Sequence, residues 1–169
     1  GKLPSKTSMG RYEVRTGIGH HEVLIESPDH DEHPSVARPK QLALAIRACI
    51  DRLNVLSRKR YVRYVSLFKN YRPEAGASIS HAHSQIMATP ILPKLIGEEL
   101  RASRKSQERE RGCVLCKVVA NEIKGPRVIY QNTSFAAIAP WASVYNFEFW
   151  ILPKRHSPSI RFAKPSEID

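Results

Sequence analysis

The densest chemistry in this 169-residue chain lies in Gly76-Ala-Ser-Ile-Ser-His81-Ala-His83-Ser-Gln85-Ile86. If the segment is a strand, its side chains alternate between two faces, and His81, His83 and Gln85 share one of them. Gly76 permits a tight turn whose backbone N–H groups could hold a phosphate. A nucleophilic imidazole beside such a turn suits in-line attack on phosphorus and the carrying of a phosphoryl or nucleotidyl group between two acceptors. On the His-x-His spacing alone a blander reading stands beside this one: an exposed polar strand with incidental histidines.

Two other places offer metal-binding side chains. The loop Ser27-Pro28-Asp29-His30-Asp31-Glu32-His33-Pro34 is rich in turn residues and potential ligands. Cys113-Val-Leu-Cys116 is a Cys-x-x-Cys, and with Cys49 it accounts for all three cysteines, too few for a disulfide framework. Such a pair serves metal binding, redox chemistry or plain structure; no thioredoxin-like βαβ context accompanies it, which weighs against redox. Cys49 falls in an apolar helical stretch and reads as a core residue.

The elements that must position these groups follow from periodicity. His21 to Glu26 reads as a strand, with His20 just ahead of it, and both histidines read as solvated or packing residues. From Arg38 to Arg58, apolar residues recur at Leu42, Ile46, Cys49, Ile50, Leu53 and Leu56, the period of an amphipathic helix that would cover a sheet. Tyr61 to Phe68 reads as a strand by its β-branched and aromatic content, and a second runs from about Ser80 to Ala88. After Pro90 and Pro93 the composition changes to a mixed-charge stretch, Arg101 to Arg111, read as a solvated helix or linker. A second unit then offers a short helix near Lys117 to Ile123 and strands at Arg127 to Gln131, Phe135 to Ala139 and Phe147 to Leu152. Trp141, Tyr145, Phe147 and Trp150 read as core and interface aromatics. Short connections favour antiparallel sheets and an α+β class, with residues 1–93 as a first unit, 94–112 as a basic connector and 113–169 as the start of a second.

Composition narrows the partners. With 41% apolar residues the chain can build a core, and its formal charge is +11. That charge would suit a nucleic-acid binder, but no nucleic-acid motif accompanies it, and a basic balance equally concentrates anionic small substrates such as nucleotides and sugar phosphates. Nucleic acid is therefore not the expected partner. No apolar run approaches the length of about 18 residues that spans a membrane, and the N-terminus lacks a signal-peptide pattern, so a soluble cytoplasmic protein is expected. The opening on Gly1 and the close on Ile168-Asp169, just after a helix start, suggest truncation at both ends.

Phe68-Lys69-Asn70, the Gly76-Ala-Ser78 turn and His81-Ala-His83-Ser-Gln85 resemble the active-site segment of galactose-1-phosphate uridylyltransferases, the transferase branch of the histidine-triad superfamily. Ser27-Pro28-Asp29-His30 is similar to their preceding segment, and Glu148-Phe-Trp-Ile-Leu-Pro-Lys-Arg-His156 to a later one, so the likeness spans nearly the whole chain. The resemblance implies two incomplete histidine-triad-like units, with His83 as the nucleophile that becomes a uridylyl-histidine. Gln85 would hydrogen-bond the transferred phosphoryl group; histidine-triad hydrolases usually carry a third histidine there, and an amide fits transfer better than hydrolysis. Asn70, Gly76 and Ser78 match residues around the nucleotide phosphates. His30 and His81 match two ligands of a first zinc site, whose Cys-x-x-Cys partner is absent here; Cys113, Cys116 and His156 match three ligands of a second. The implied reaction moves UMP from UDP-glucose to galactose 1-phosphate in a zinc-containing homodimer. The wording around Ile25-Glu-Ser-Pro28 and Gly76 to Ser80 is also similar to the branch that acts on ADP-glucose as a phosphorylase or adenylyltransferase. A non-catalytic zinc-binding fragment is the alternative from another class.

Overall fold

The computed structural model describes residues 5–169, an α+β chain of antiparallel sheets and helices. It falls into two compact units: the residues up to Pro93 together with Lys164–Asp169, and Lys94–Ala163. None of its helices is long and apolar enough to cross a membrane.

The first unit opens with a hairpin of wholly exposed residues. Strands β1 (Lys6–Met9) and β2 (Tyr12–Arg15) pair across Gly10, whose φ of 62° supplies the left-handed residue such a turn needs. Strand β3 (His20–Ile25), helix α1 (Pro39–Ser57), β4 (Tyr64–Phe68) and β5 (His83–Thr89) follow. The sheet order is β3-β5-β4, so the last strand inserts between the first two and pairs antiparallel with both.

One face of this sheet is apolar and carries α1. Leu56 of the helix is fully buried against Ile86 and Ala88 of β5, with Val62, Val65 and Leu67 packed around them. The alternation of β5 then commits His83, Gln85 and Met87 to the opposite face. Cross-strand partners share a face, so Val23 and Ile25 of β3, opposite Gln85 and His83, lie there too. Cys49 is buried on α1 as expected, and burial pushes its thiol up, away from the reactive thiolate.

Three strand boundaries of this unit differ from the expectation, β4 starting at Tyr64 where Tyr61 was expected. β5 starts at His83, not near Ser80. The carbonyl of Ala82 still accepts the Glu26 N–H at 3.1 Å, but His81 lies before the strand and turns its ring elsewhere. β3 begins at His20, one residue before the strand expected from His21.

The second unit contains α2 (Lys94–Glu110), α3 (Val114–Glu122) and the strands β6 (Val128–Gln131), β7 (Phe135–Ile138) and β8 (Trp150–Pro153). These strands form a meander of order β6-β7-β8. Ala136 and Ile138 of β7, with Val119 of α3, are its buried apolar residues. β8 begins later than the strand expected from Phe147. The Glu148 carboxylate accepts the Val144 N–H at 2.6 Å, the Tyr145 N–H at 3.3 Å and the Trp150 indole N–H at 2.9 Å, which folds residues 144–148 into a turn. Phe147 takes a φ of 61° in that turn and is 99% exposed. Trp141 and Tyr145 are also solvent-facing, which corrects the core half of the reading of these residues as core and interface aromatics. The Arg127 guanidinium covers Trp141 at 4.7 Å from its ring centroid.

Helix α4 (Pro165–Ile168) returns to the first unit, where Arg47 of α1 donates to the Pro165 carbonyl at 3.3 Å and pairs with the Asp169 carboxylate.

Candidate active site and metal clusters

His83 is 4% exposed, and its Nδ1 lies 2.8 Å from the His81 carbonyl oxygen. A carbonyl can only accept, so Nδ1 donates, and in the neutral imidazole the lone pair is on Nε2. This hydrogen bond depends on the chain leaving the strand at His81. A regular ladder would have directed that carbonyl at a neighbouring strand.

Gln85, two residues on, shares the face of His83. Its Oε1 lies 2.9 Å from Nε2 of His21, which reaches diagonally across from β3. His21 is the residue of this site that sequence reasoning missed. The signal was present in part, because alternation in His20–Ile25 already places His21 with Val23 and Ile25; what could not be read was which strand stands beside β3.

Asn70 follows β4 directly and donates from Nδ2 toward the Gly76 carbonyl at 3.5 Å. The preceding Lys69 is tethered by its ion pair with Glu26 at 2.6 Å, and Ser84 Oγ donates to the same buried carboxylate at 2.7 Å. Glu26 is thus a buried acid with two donors, and it holds the end of β4 from which Asn70 projects. Gly76 has a φ of 85°, and a side chain there would meet Asn70 Nδ2 at 3.4 Å. The turn differs from expectation in one respect. The N–H groups of Gly76 and Ala77 donate inward, to the carbonyls of Pro73 at 2.8 Å and Arg72 at 3.0 Å, and so close the turn instead of forming a phosphate cradle. Ser78 stands exposed just beyond it.

His30 and His81 are brought together from distant parts of the chain, with their Nδ1 atoms 3.2 Å apart. Nε2 of His81 donates to the Ser27 carbonyl at 2.7 Å, which leaves a lone pair on the Nδ1 that faces His30. Two nitrogens bound to one tetrahedral zinc at about 2.0–2.1 Å would stand at close to this separation, and a backbone carbonyl holding the remote N–H is usual for a metal-binding histidine. The loop that delivers His30 is fastened by Glu32, whose carboxylate accepts from Arg38 Nε at 2.9 Å, from the Arg38 backbone N–H at 2.9 Å and from Ser27. These bonds, Arg38 first, hold its pKa down to about 2. His33 turns to the Tyr71 ring, 5.2 Å between centroids, and stays out of the pair.

In the second unit, Cys113, Cys116 and His156 offer ligand atoms that all lie within 4.8 Å of one another. Cys113 caps the N-terminus of α3, where the backbone N–H of Cys116 pulls its thiol pKa down, while burial and then Cys113 push that of Cys116 up. Cys116 Sγ stands 3.3 Å from His156 Nδ1. Two thiols and an imidazole are a soft donor set suited to zinc, three-quarters of a tetrahedral shell.

Comparison with known proteins places this geometry. A family model described as "Domain of unknown function (DUF4931) N-terminal domain" matches residues 9–91. The ADP-glucose phosphorylase of Arabidopsis thaliana is 36% identical over 141 residues, which is 83% of this chain and 39% of that protein. The galactose-1-phosphate uridylyltransferase of Thermotoga maritima is 35% identical over 144 residues, 85% of this chain and 45% of the relative. A solved chain described as "Structure of uridylyltransferase" superposes with a TM-score of 0.90 at 28% identity, covering 99% of this chain and 53% of that one. The chain thus spans less than half the length of these two curated relatives. A protonated Nδ1 behind a buried imidazole, a glutamine beside it and this breadth of likeness lead to one assignment: the chain belongs to the galactose-1-phosphate uridylyltransferase family.

Proposed function

We propose that this chain carries the nucleotide-transfer half of such an enzyme, with His83 as the covalent carrier. The observation that supports it above all is the 2.8 Å contact from His83 Nδ1 to the His81 carbonyl, which places the lone pair of the neutral ring on Nε2 without a general base. Nε2 attacks the α-phosphorus of a nucleoside diphosphate sugar. An N–P bond forms, the bond from the α-phosphorus to the bridging oxygen breaks, and sugar 1-phosphate leaves with the electron pair. In the second displacement an acceptor phosphate oxygen attacks, and the N–P electrons return to the ring. Gln85, Asn70 and Ser78 line the approach as hydrogen-bonding groups for the phosphates, and Gly76 keeps the loop close to them. Positioning and charge neutralisation supply most of the rate, because the step needs little besides an aligned nucleophile.

Galactose 1-phosphate as acceptor and UDP-glucose as donor form the first reading, supported by the uridylyltransferase relatives. ADP-glucose with a phosphorolytic second step is the competing one, supported by the 36% identity to the phosphorylase. Zinc at Cys113, Cys116 and His156, and at His30 and His81 with ligands from elsewhere, would brace the loops and take no part in bond making. A homodimer is part of the same reading, and sedimentation equilibrium tests it.

Intact mass after incubation with UDP-glucose or ADP-glucose decides the function. A UMP or AMP increment that disappears in His83→Ala supports the carrier role and names the base. Absence of any increment in folded wild-type chain would favour a non-catalytic zinc-binding fragment.

A further inference from the structure

We infer that His21 is a positioning residue for the transfer step, acting by holding the side-chain amide of Gln85 in one orientation. This rests on the proposed nucleotidyl transfer at His83. Gln85 sits on the central strand with Val23 opposite on one side and Phe68 on the other, both apolar. Neither can order a carboxamide. His21 can: its Nε2 lies 2.9 Å from Gln85 Oε1.

The contact comes from the Met87 end of β5, because His21 pairs with Met87 while Ile25 pairs with His83. An amide oxygen only accepts, so Nε2 of His21 donates, and the oxygen is committed to the side remote from the nucleophile. The two termini of a planar carboxamide diverge, and the NH2 is thereby directed away from His21, toward the end of the strand where His83 stands. A phosphoryl group carried by His83 bears negative oxygens and needs donors. The opposite rotamer would present the Gln85 oxygen to that charge. His21 therefore selects the donor orientation of an amide that is otherwise symmetric in shape. An imidazolium would donate from the same Nε2, so the device does not depend on the charge of His21.

The test compares His21→Leu, His21→Gln, Gln85→Ala and the double variant His21→Leu with Gln85→Ala. The rate of His83 adduct formation is followed at saturating UDP-glucose or ADP-glucose, whichever reacts, and thermal unfolding confirms folding of each variant. His21→Leu is expected to slow the maximal rate about tenfold, the scale of one hydrogen bond, with little change in half-saturating concentration. His21→Gln, which keeps an N–H donor of similar reach, is expected to recover most of that rate. In the Gln85→Ala background, loss of His21 should cost nothing further. Full rate in His21→Leu, or effects of the two substitutions that multiply, would overturn the inference.

The NMR signal of the Gln85 side-chain NH2, assigned by its loss in Gln85→Ala, gives an independent readout without nucleotide. Its two lines are expected to be dispersed in the wild type and to collapse toward free-amide positions in His21→Leu. Unchanged lines show that His21 does not hold the amide and overturn the inference on geometry alone. If the wild type forms no adduct with either donor, the transfer reading and the catalytic side of this inference fail together, while the spectrum still decides the orientation.

Discussion

The two three-stranded sheets use their surfaces in opposite ways. In the first unit the late strand β5 inserts between β3 and β4, so its central position is flanked by residues from both sides, and the proposed transfer site lies on the sheet face at His83 and Gln85. In the second unit β6, β7 and β8 follow one another as a meander, and the candidate metal ligands lie off the sheet, at the start of α3 and just after β8. A crossed connection brings residues far apart in sequence onto one face. A meander mostly joins neighbours, so its distant partners meet only at the ends of elements.

That division can be broken by exchanging the loss between units. His83→Ala is expected to abolish the nucleotidyl adduct entirely, and His156→Ala to leave it in place, both read by intact mass on folded protein. Loss of the adduct in a folded His156→Ala would end the separation of roles.

The cores sharpen the comparison next. Leu56→Ala and Ile138→Ala each open a cavity at a fully buried position and are expected to cost about 2–5 kcal/mol by denaturant unfolding. If the first unit alone carries the site, the Leu56 variant should lose adduct formation at lower denaturant than the Ile138 variant.

Metal content separates the clusters. Zinc analysis of Cys116→Ser should show loss of the ion held with Cys113 and His156 while any ion at His30 and His81 stays; His30→Ala should do the converse. An unchanged zinc content in Cys116→Ser would remove the second cluster from the proposal.

The smallest effect concerns acid. Glu32 keeps its pKa near 2 in the folded chain, below the unfolded carboxylate range of about 4.3, because Arg38 and Ser27 bond its ionised form. Its contribution is therefore complete above that range and is lost as pH falls toward 2. Glu32→Gln should flatten the acid side of the stability curve in that window, measured as Tm against pH, and leave neutral pH behaviour less changed than Leu56→Ala does.

Much of the fold was legible in the residues. The 3.6-residue period from Leu42 to Leu56 marked α1, since a helix on a sheet must bury one stripe, and β-branched and aromatic content marked β4. Boundaries failed where a side chain competed with the backbone ladder: Glu148 drew residues 144–148 into a turn and delayed β8, and the His81 carbonyl went to the His83 ring and delayed β5. The hairpin of β1 and β2 is weakly marked in the sequence, because the alternation of Tyr12 and Val14 in β2 is only four residues long and β1 has no matching pattern.

By itself, the sequence determined that His83 and Gln85 share a strand face, that Gly76 occupies a turn, and that a Cys-x-x-Cys opens the second unit, all of which are local spacings. Only the tertiary structure decided that His81 leaves this strand to meet His30, that His156 returns to Cys116, and that His21 stands diagonally across from Gln85. Those three depend on which strand lies beside which. Pairing is set by burial over a whole unit, of Leu56, Ile86 and Ala88 in the first and of Val119, Ala136 and Ile138 in the second, a property that no short stretch of residues contains.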